Sequence, residues 1–141
     1  MTSKQRIYSP SVAEPVEGMW SNCMKVGNIA YFSGMTARAS DRVTIHGDNE
    51  YDQSKAVFQK LKDLIEAAGG VMNDMVKMTI FVVNIENNAQ VWKARKEFFT
   101  GDFPACTLVE VKSLAKGASA EILVEIEGIA HIGCSGEKAG S

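Results

Sequence analysis

Near the end of the chain Glu121, Glu125 and Glu127 share one parity with Leu123 and Ile129, while Ile122, Val124, Ile126 and Ala130 share the other. In a strand, parity is a face, so the second set points to a core and the first away from it. Carboxylates set among leucine and isoleucine need water or a charged partner, because an ionised group is costly to bury alone. They form either a solvated, ion-pairing rim or a group from which one carboxylate activates a water in a cleft, and both readings stand. The run Ala105–Val111 also alternates, with Cys106, Leu108 and Glu110 opposite Thr107, Val109 and Val111. A cysteine there is a small apolar filler, or a nucleophile if a base or cation lowers its pKa. No histidine is near it in sequence: His46 falls in a polar loop, and His131 ends the last strand and reads as solvent-facing.

The elements that must position these residues follow from periodicity. The first 17 residues carry Pro10 and Pro15 and read as an irregular arm. Met19–Val26 and Asn28–Phe32 read as a hairpin turning at Gly27-Asn28, and Ser33-Gly34 ends its second strand. Met35 to Asp48 lacks periodicity and reads as a long surface loop. Asp52–Ala68 is the clearest helix, with Val57, Leu61, Leu64, Ile65 and Ala68 on one stripe; Lys55, Lys60, Lys62, Asp63 and Glu66 populate its other sides. Gly69-Gly70 stops it. Met75–Val83 is apolar at both parities, as in a strand covered on both faces. A second helix fits Asn87–Phe99, and strands follow at Ala105–Val111 and Ala120–Ala130. The stretch from Gly133 reads as a flexible tail, leaving one domain over residues 18–132.

The order β-β-α-β-α-β-β describes an α+β fold, a mixed sheet with two helices on one face. The doubly apolar strand then needs a cover on its other face, and there is no third long helix. A second copy of the chain is the economical cover; the long loop folding across is the alternative, less suited because it is so polar.

The chain has 141 residues, 45% of them hydrophobic, 23% charged and 8% aromatic, which suits one globular domain. A formal charge of −2 offers no basic field for nucleic acid. No apolar run is long enough to span a membrane, and the first residues lack a signal core, so a cytoplasmic location without membrane or nucleic-acid partners is expected. Three cysteines without a metal or redox spacing and two histidines point to no metal site. Gly69-Gly70 follows a helix rather than preceding one, so it cradles no phosphate, and no cofactor is expected. Gly-x-Ser-x-Gly does not occur. Trp20 and Trp92 could stack on a base or line an apolar pocket, although packing is the ordinary role.

Several short patterns in a fixed order resemble the RidA family, also called the YjgF or L-PSP family. They are Gly18-Met19-Trp20, Val26-Gly27-Asn28 and Ser33-Gly34; Glu66-Ala67-Ala68-Gly69 and Val76-Lys77-Met78-Thr79-Ile80-Phe81-Val82; Phe98-Phe99, Phe103-Pro104-Ala105, Val109-Glu110-Val111 and Glu125-Ile126-Glu127-Gly128-Ile129-Ala130. The resemblance covers nearly all of residues 18–131. It implies a chorismate-mutase-like fold, and a homotrimer whose sheets form a central barrel with sites in the clefts between subunits.

The resemblance further implies hydrolysis of reactive imines or enamines such as 2-aminoacrylate. In the family an arginine after Pro-Ala grips the substrate carboxylate in a two-pronged ion pair. Here Ser33 matches the family serine and Glu125 the water-positioning glutamate, but Cys106 stands in place of the arginine. Trp20 replaces a tyrosine, Trp92 an asparagine, and Leu108 a cysteine. Loss of the arginine argues against efficient 2-aminoacrylate hydrolysis, because a desolvated carboxylate would lack its partner. Arg38 is the nearby cation that could substitute as anchor. The expected function is a divergent hydrolase of a C=N or enamine bond, with Glu125 orienting water and Ser33 bonding the substrate. A variant of it makes Cys106 the nucleophile and Glu125 its base. The alternatives are a non-catalytic trimer that binds a small metabolite and, less suited to the charge, an endoribonuclease or translation inhibitor.

Overall fold

Asn49 starts the long helix α1 (Glu50–Ala67): its side-chain oxygen accepts from the Asp52 N–H at 2.8 Å, satisfying one of the orphan donors of the first turn. Val57, Phe58, Leu61, Leu64 and Ile65 of this helix are fully buried. In the computed structural model, which describes residues 3–117 and 120–139, that stripe packs on a six-stranded sheet. The strands are β1 (Lys4–Arg6), β2 (Cys23–Val26), β3 (Ile29–Met35), β4 (Met75–Val82), β5 (Ala105–Glu110) and β6 (Val124–His131), in the spatial order β1-β2-β3-β6-β4-β5. Only the β4–β5 pair is parallel. The second helix, α2 (Asn88–Lys96), adds Val91 and Ala94 to the same apolar cluster, so both helices cover one face.

On that face lie Phe32, Met78, Ile80, Val82, Val124, Ile126 and Ala130, all buried. The parity expected for the last strand is therefore correct. The opposite face carries Tyr31 and Val109, exposed, and Phe81 and Ile129, half-buried. Within one chain the strand apolar at both parities is covered on one side only. The loop 36–48 does not close over the open face: Ala37 and Ile45 are buried with Ile122 and meet Ala56 of α1.

Several boundaries differ from the sequence reading. Lys4–Arg6 of the supposed arm pairs with β2, and Ile7 and Val12 are buried in the main core, so the arm is part of the domain. Residues 121–123 do not join β6. The buried Gln53 side chain donates to the Glu121 carbonyl at 2.8 Å and accepts from the Leu123 N–H at 2.9 Å, meeting these backbone groups without a ladder. The helix expected over Asn87–Phe99 ends at Lys96, where Glu97 and Phe98 turn tightly onto the Ala94 and Arg95 carbonyls.

The tail expected to be flexible from Gly133 is anchored. Asp74, fully buried, accepts from the N–H groups of Val71 at 3.0 Å and of Gly133 and Ser135 at 2.9 Å each. Glu137 accepts from Asn73 at 2.8 Å.

Candidate functional site

The pairing of β3 with β6 runs through Tyr31–Ile129 and Phe32–Gly128 and then resumes at Met35–Ile126. Three steps on β3 match two on β6, so Ser33 and Gly34 form a bulge, a device that re-aims side chains. The Ser33 N–H donates to the Asn22 carbonyl at 2.9 Å, and its hydroxyl donates to the Ser21 carbonyl at 2.5 Å. With its proton committed, the Ser33 oxygen is left as an acceptor.

Glu125 lies over the bulge. A Cβ at Gly34 would stand 2.6 Å from Glu125 Oε2, 2.9 Å from Cδ and 3.0 Å from Cγ, so only glycine leaves room for the carboxylate there. The three carboxylates of the strand parity thus part company. Glu121 and Glu127 are exposed, whereas Glu125 is half-buried. Burial first, and then the neighbouring Glu127 charge, push its pKa up from the ordinary carboxylate value. Among the described residues the ion pairs are Arg6–Glu14 and Lys55–Glu97, and neither reaches it. A half-desolvated carboxylate with no cation beside it is a better proton acceptor than a surface glutamate.

This geometry makes Gly34→Ala a direct probe. The backbone of Gly34 needs no left-handed φ, and the obstructing atoms are the end of a flexible side chain, so the fold should tolerate the methyl while the carboxylate swings away. Any reaction that uses the Glu125 carboxylate should slow roughly ten- to a hundredfold. Steady-state rates and melting curves measured side by side would check this; an unchanged rate would show that the carboxylate's position is unimportant.

Beside the bulge a cleft of about 320 Å³ opens, lined among others by Trp20, Gly34, Met35, Arg38, Arg42 and Lys60. Trp20 and Arg38 thus share a cleft with Gly34, the residue next to Ser33 and under Glu125; Ser33 and Glu125 do not themselves line it. Lys60 was missed. The sequence reading set it on the outer sides of the helix, but its ammonium is half-buried and donates to the carbonyls of Thr36 at 2.7 Å and Arg38 at 2.5 Å. Desolvation, reinforced by the Arg38 charge, lowers its pKa to about 8. The signal was available in the spacing: Lys60 lies three residues after Val57 and four before Leu64, at the edge of the apolar stripe.

The remaining expected residues lie elsewhere. Cys106 pairs in register with Met78 and Leu108 with Ile80, and both pack against the core on the helix-covered side. Glu125 pairs with Phe81 and is on the open side. The two also stand two strands apart, about 10 Å across the sheet, and three residues out of register along it. Glu125 therefore cannot act as base for Cys106 of its own chain, which corrects that version of the chemistry. Trp92 is exposed on α2 and does not line the cleft with Trp20 and Arg38. Among the described residues no three His, Cys, Asp or Glu side chains gather as a metal site, and no helix is long and apolar enough to cross a membrane.

Comparison with known proteins places this arrangement. The profile of the family described as endoribonuclease L-PSP matches residues 11–132. A relative from Dermatophagoides farinae, named 2-iminobutanoate/2-iminopropanoate deaminase, is 35% identical over 86% of this chain and 94% of its own. The crystal structure of a protein of unknown function from Pseudomonas aeruginosa superposes with a TM-score of 0.80 at 36% identity, covering 94% of each chain. RidA from an Antarctic Psychrobacter gives a TM-score of 0.80 at 30% identity, over 91% of this chain and 99% of its own.

Proposed function

This chain belongs to the endoribonuclease L-PSP family, which includes RidA, and we propose that it is a cytoplasmic hydrolase of a C=N or enamine bond, working as a homotrimer. The observation that carries this reading is the Glu125 carboxylate held over Gly34 beside a serine whose oxygen is free to accept. In the proposed reaction Glu125 takes a proton from a water as the water oxygen bonds to the imine carbon. Glu125 returns that proton to the nitrogen, giving the carbinolamine; the same carboxylate then carries the hydroxyl proton to the amine, the C–N bond breaks, ammonia leaves, and the carbon keeps the oxygen as a carbonyl. An enamine reacts through its imine tautomer. Ser33 accepts an N–H from the reacting nitrogen and so fixes which face of the bond meets the water.

The split between the two groups of residues supports the oligomer. Ser33 and Glu125 stand at the β3–β6 bulge, Trp20 and Arg38 line the cleft that includes Gly34, and Cys106 and Leu108 lie on the edge strand β5. A cleft using both takes one group from each of two chains. The uncovered face with Tyr31, Phe81, Val109 and Ile129 supplies an apolar surface for closure into a central barrel. Light scattering should give a mass three times the 15.3 kDa of the chain. A single-chain mass in dilute solution would overturn the shared cleft.

The substrate reading is tested with imines made in place from amino acids by an oxidase, following ketoacid and ammonia release. Because Cys106 replaces the family's arginine, imines with bulky or aromatic side chains should be accelerated more than 2-aminoacrylate. Acceleration of none of them would overturn the hydrolase. That outcome would favour a non-catalytic metabolite-binding trimer, the reading to which the Cys106 replacement also lends itself. A ribonuclease suits the chain less, since a net charge of −2 gives no long-range pull on RNA.

A further inference from the structure

Arg38, Arg42 and Lys60 line one cleft, and none has a carboxylate partner among the described residues. Each is held by backbone carbonyls instead. Arg38 donates to the carbonyls of Arg42 at 3.2 Å and Lys116 at 3.1 Å, Arg42 to that of Glu14 at 2.6 Å, and Lys60 to those of Thr36 and Arg38. Carbonyl oxygens orient these cations without neutralising them. Glu14, the one carboxylate on the cleft wall, is already taken by Arg6 and Asn22. An ammonium has three donors and a guanidinium five, so all three side chains keep N–H groups to offer. Trp20, Val16, Pro15 and Met35 add apolar surface to the same walls.

We infer that this cleft is an anion-binding site, in which Arg38, Arg42 and Lys60 hold a carboxylate or phosphate carried on an apolar or aromatic body that lies against Trp20. Three like charges held close together repel, and an oxyanion relieves that repulsion while filling their spare donors. Gly34 forms part of the cleft wall and also lies under Glu125, although the Glu125 side chain itself does not line the cleft. Taking this ligand as the substrate rests on the hydrolase reading; the anion site does not.

Calorimetric titration of the intact protein with benzoate, phenyl phosphate and the neutral benzamide tests the site. Benzoate or phenyl phosphate should bind at least tenfold more tightly than benzamide, and the tighter of the two identifies the anion class. Arg42→Gln and Lys60→Met should each weaken anion binding about tenfold and leave benzamide unaffected. Lys60 ties down two loop carbonyls, so if Lys60→Met fails to fold, Arg42→Gln at an exposed position decides. Equal binding of benzoate and benzamide, binding of neither anion, or an Arg42→Gln variant that binds like the parent would overturn the site. Glu125→Gln separates the two ideas. Full turnover in that variant sinks the hydrolase, while anion binding that still depends on Arg42 leaves the cleft assignment standing.

Discussion

Glu125→Gln should lower turnover of the preferred imine by roughly 10²- to 10⁴-fold, the range expected when a positioned general base is removed. The same substitution should leave the protein at least as stable at neutral pH. Burial and Glu127 raise the folded-state pKa of Glu125 above its unfolded value. Between those two values the folded state holds more protons than the unfolded one, so stability falls as pH rises through the window and stays lower above it. Glutamine removes that penalty. Parent and variant should therefore differ in melting temperature at pH 7, with the variant equal or higher, and converge below the ordinary carboxylate range. Activity should show an acid limb lying above that range, because only the ionised carboxylate accepts a proton from water. Steady-state rates across pH and melting curves on the same samples check both halves. A variant that melted well below the parent would show that Glu125 is a structural ion rather than a poised base.

Asp74→Ala should cost the most stability of any single polar change, about 3 to 5 kcal/mol, because three backbone N–H groups lose their acceptor at once. A chain of this size would then melt on the order of 10 °C lower. Burial alone would raise the Asp74 pKa, but the N–H groups of Gly133, Ser135 and Val71 outweigh it and hold the carboxylate below its ordinary value. Its contribution is thus present above the unfolded carboxylate pKa and fades as pH falls through the lower folded one. Chemical unfolding of parent and variant at neutral and strongly acid pH should show a large gap that narrows on acidification. Hydrogen exchange should also show Gly133 and Ser135 losing protection in the variant. A tail that exchanged freely in the parent would remove the clasp.

Local patterns were read well from the sequence because they depend only on neighbours along the chain. Alternation placed Val124, Ile126 and Ala130 inward, and the stripe of Val57, Leu61, Leu64 and Ile65 defined α1. The residue runs also carried the family, since Ser33-Gly34 and the Glu125–Ala130 segment are legible without coordinates. Errors came where a side chain replaces a backbone partner. Gln53 supplies the hydrogen bonds that a longer β6 would have made, and Asp74 does the same for a tail with no periodicity of its own.

The sequence by itself determined the two-layer α+β plan, the inward face of the last strand and the types of residue available for chemistry, because period and burial are written into consecutive positions. Only the tertiary structure decided which of those residues meet. Strand order put Glu125 and Cys106 on opposite faces and two strands apart, a single extra residue in β3 brought Gly34 under the carboxylate, and packing of α1 drew Lys60 into the cleft with Arg38 and Arg42. These are contacts between segments distant in the chain, set by register and desolvation, and no local pattern encodes them.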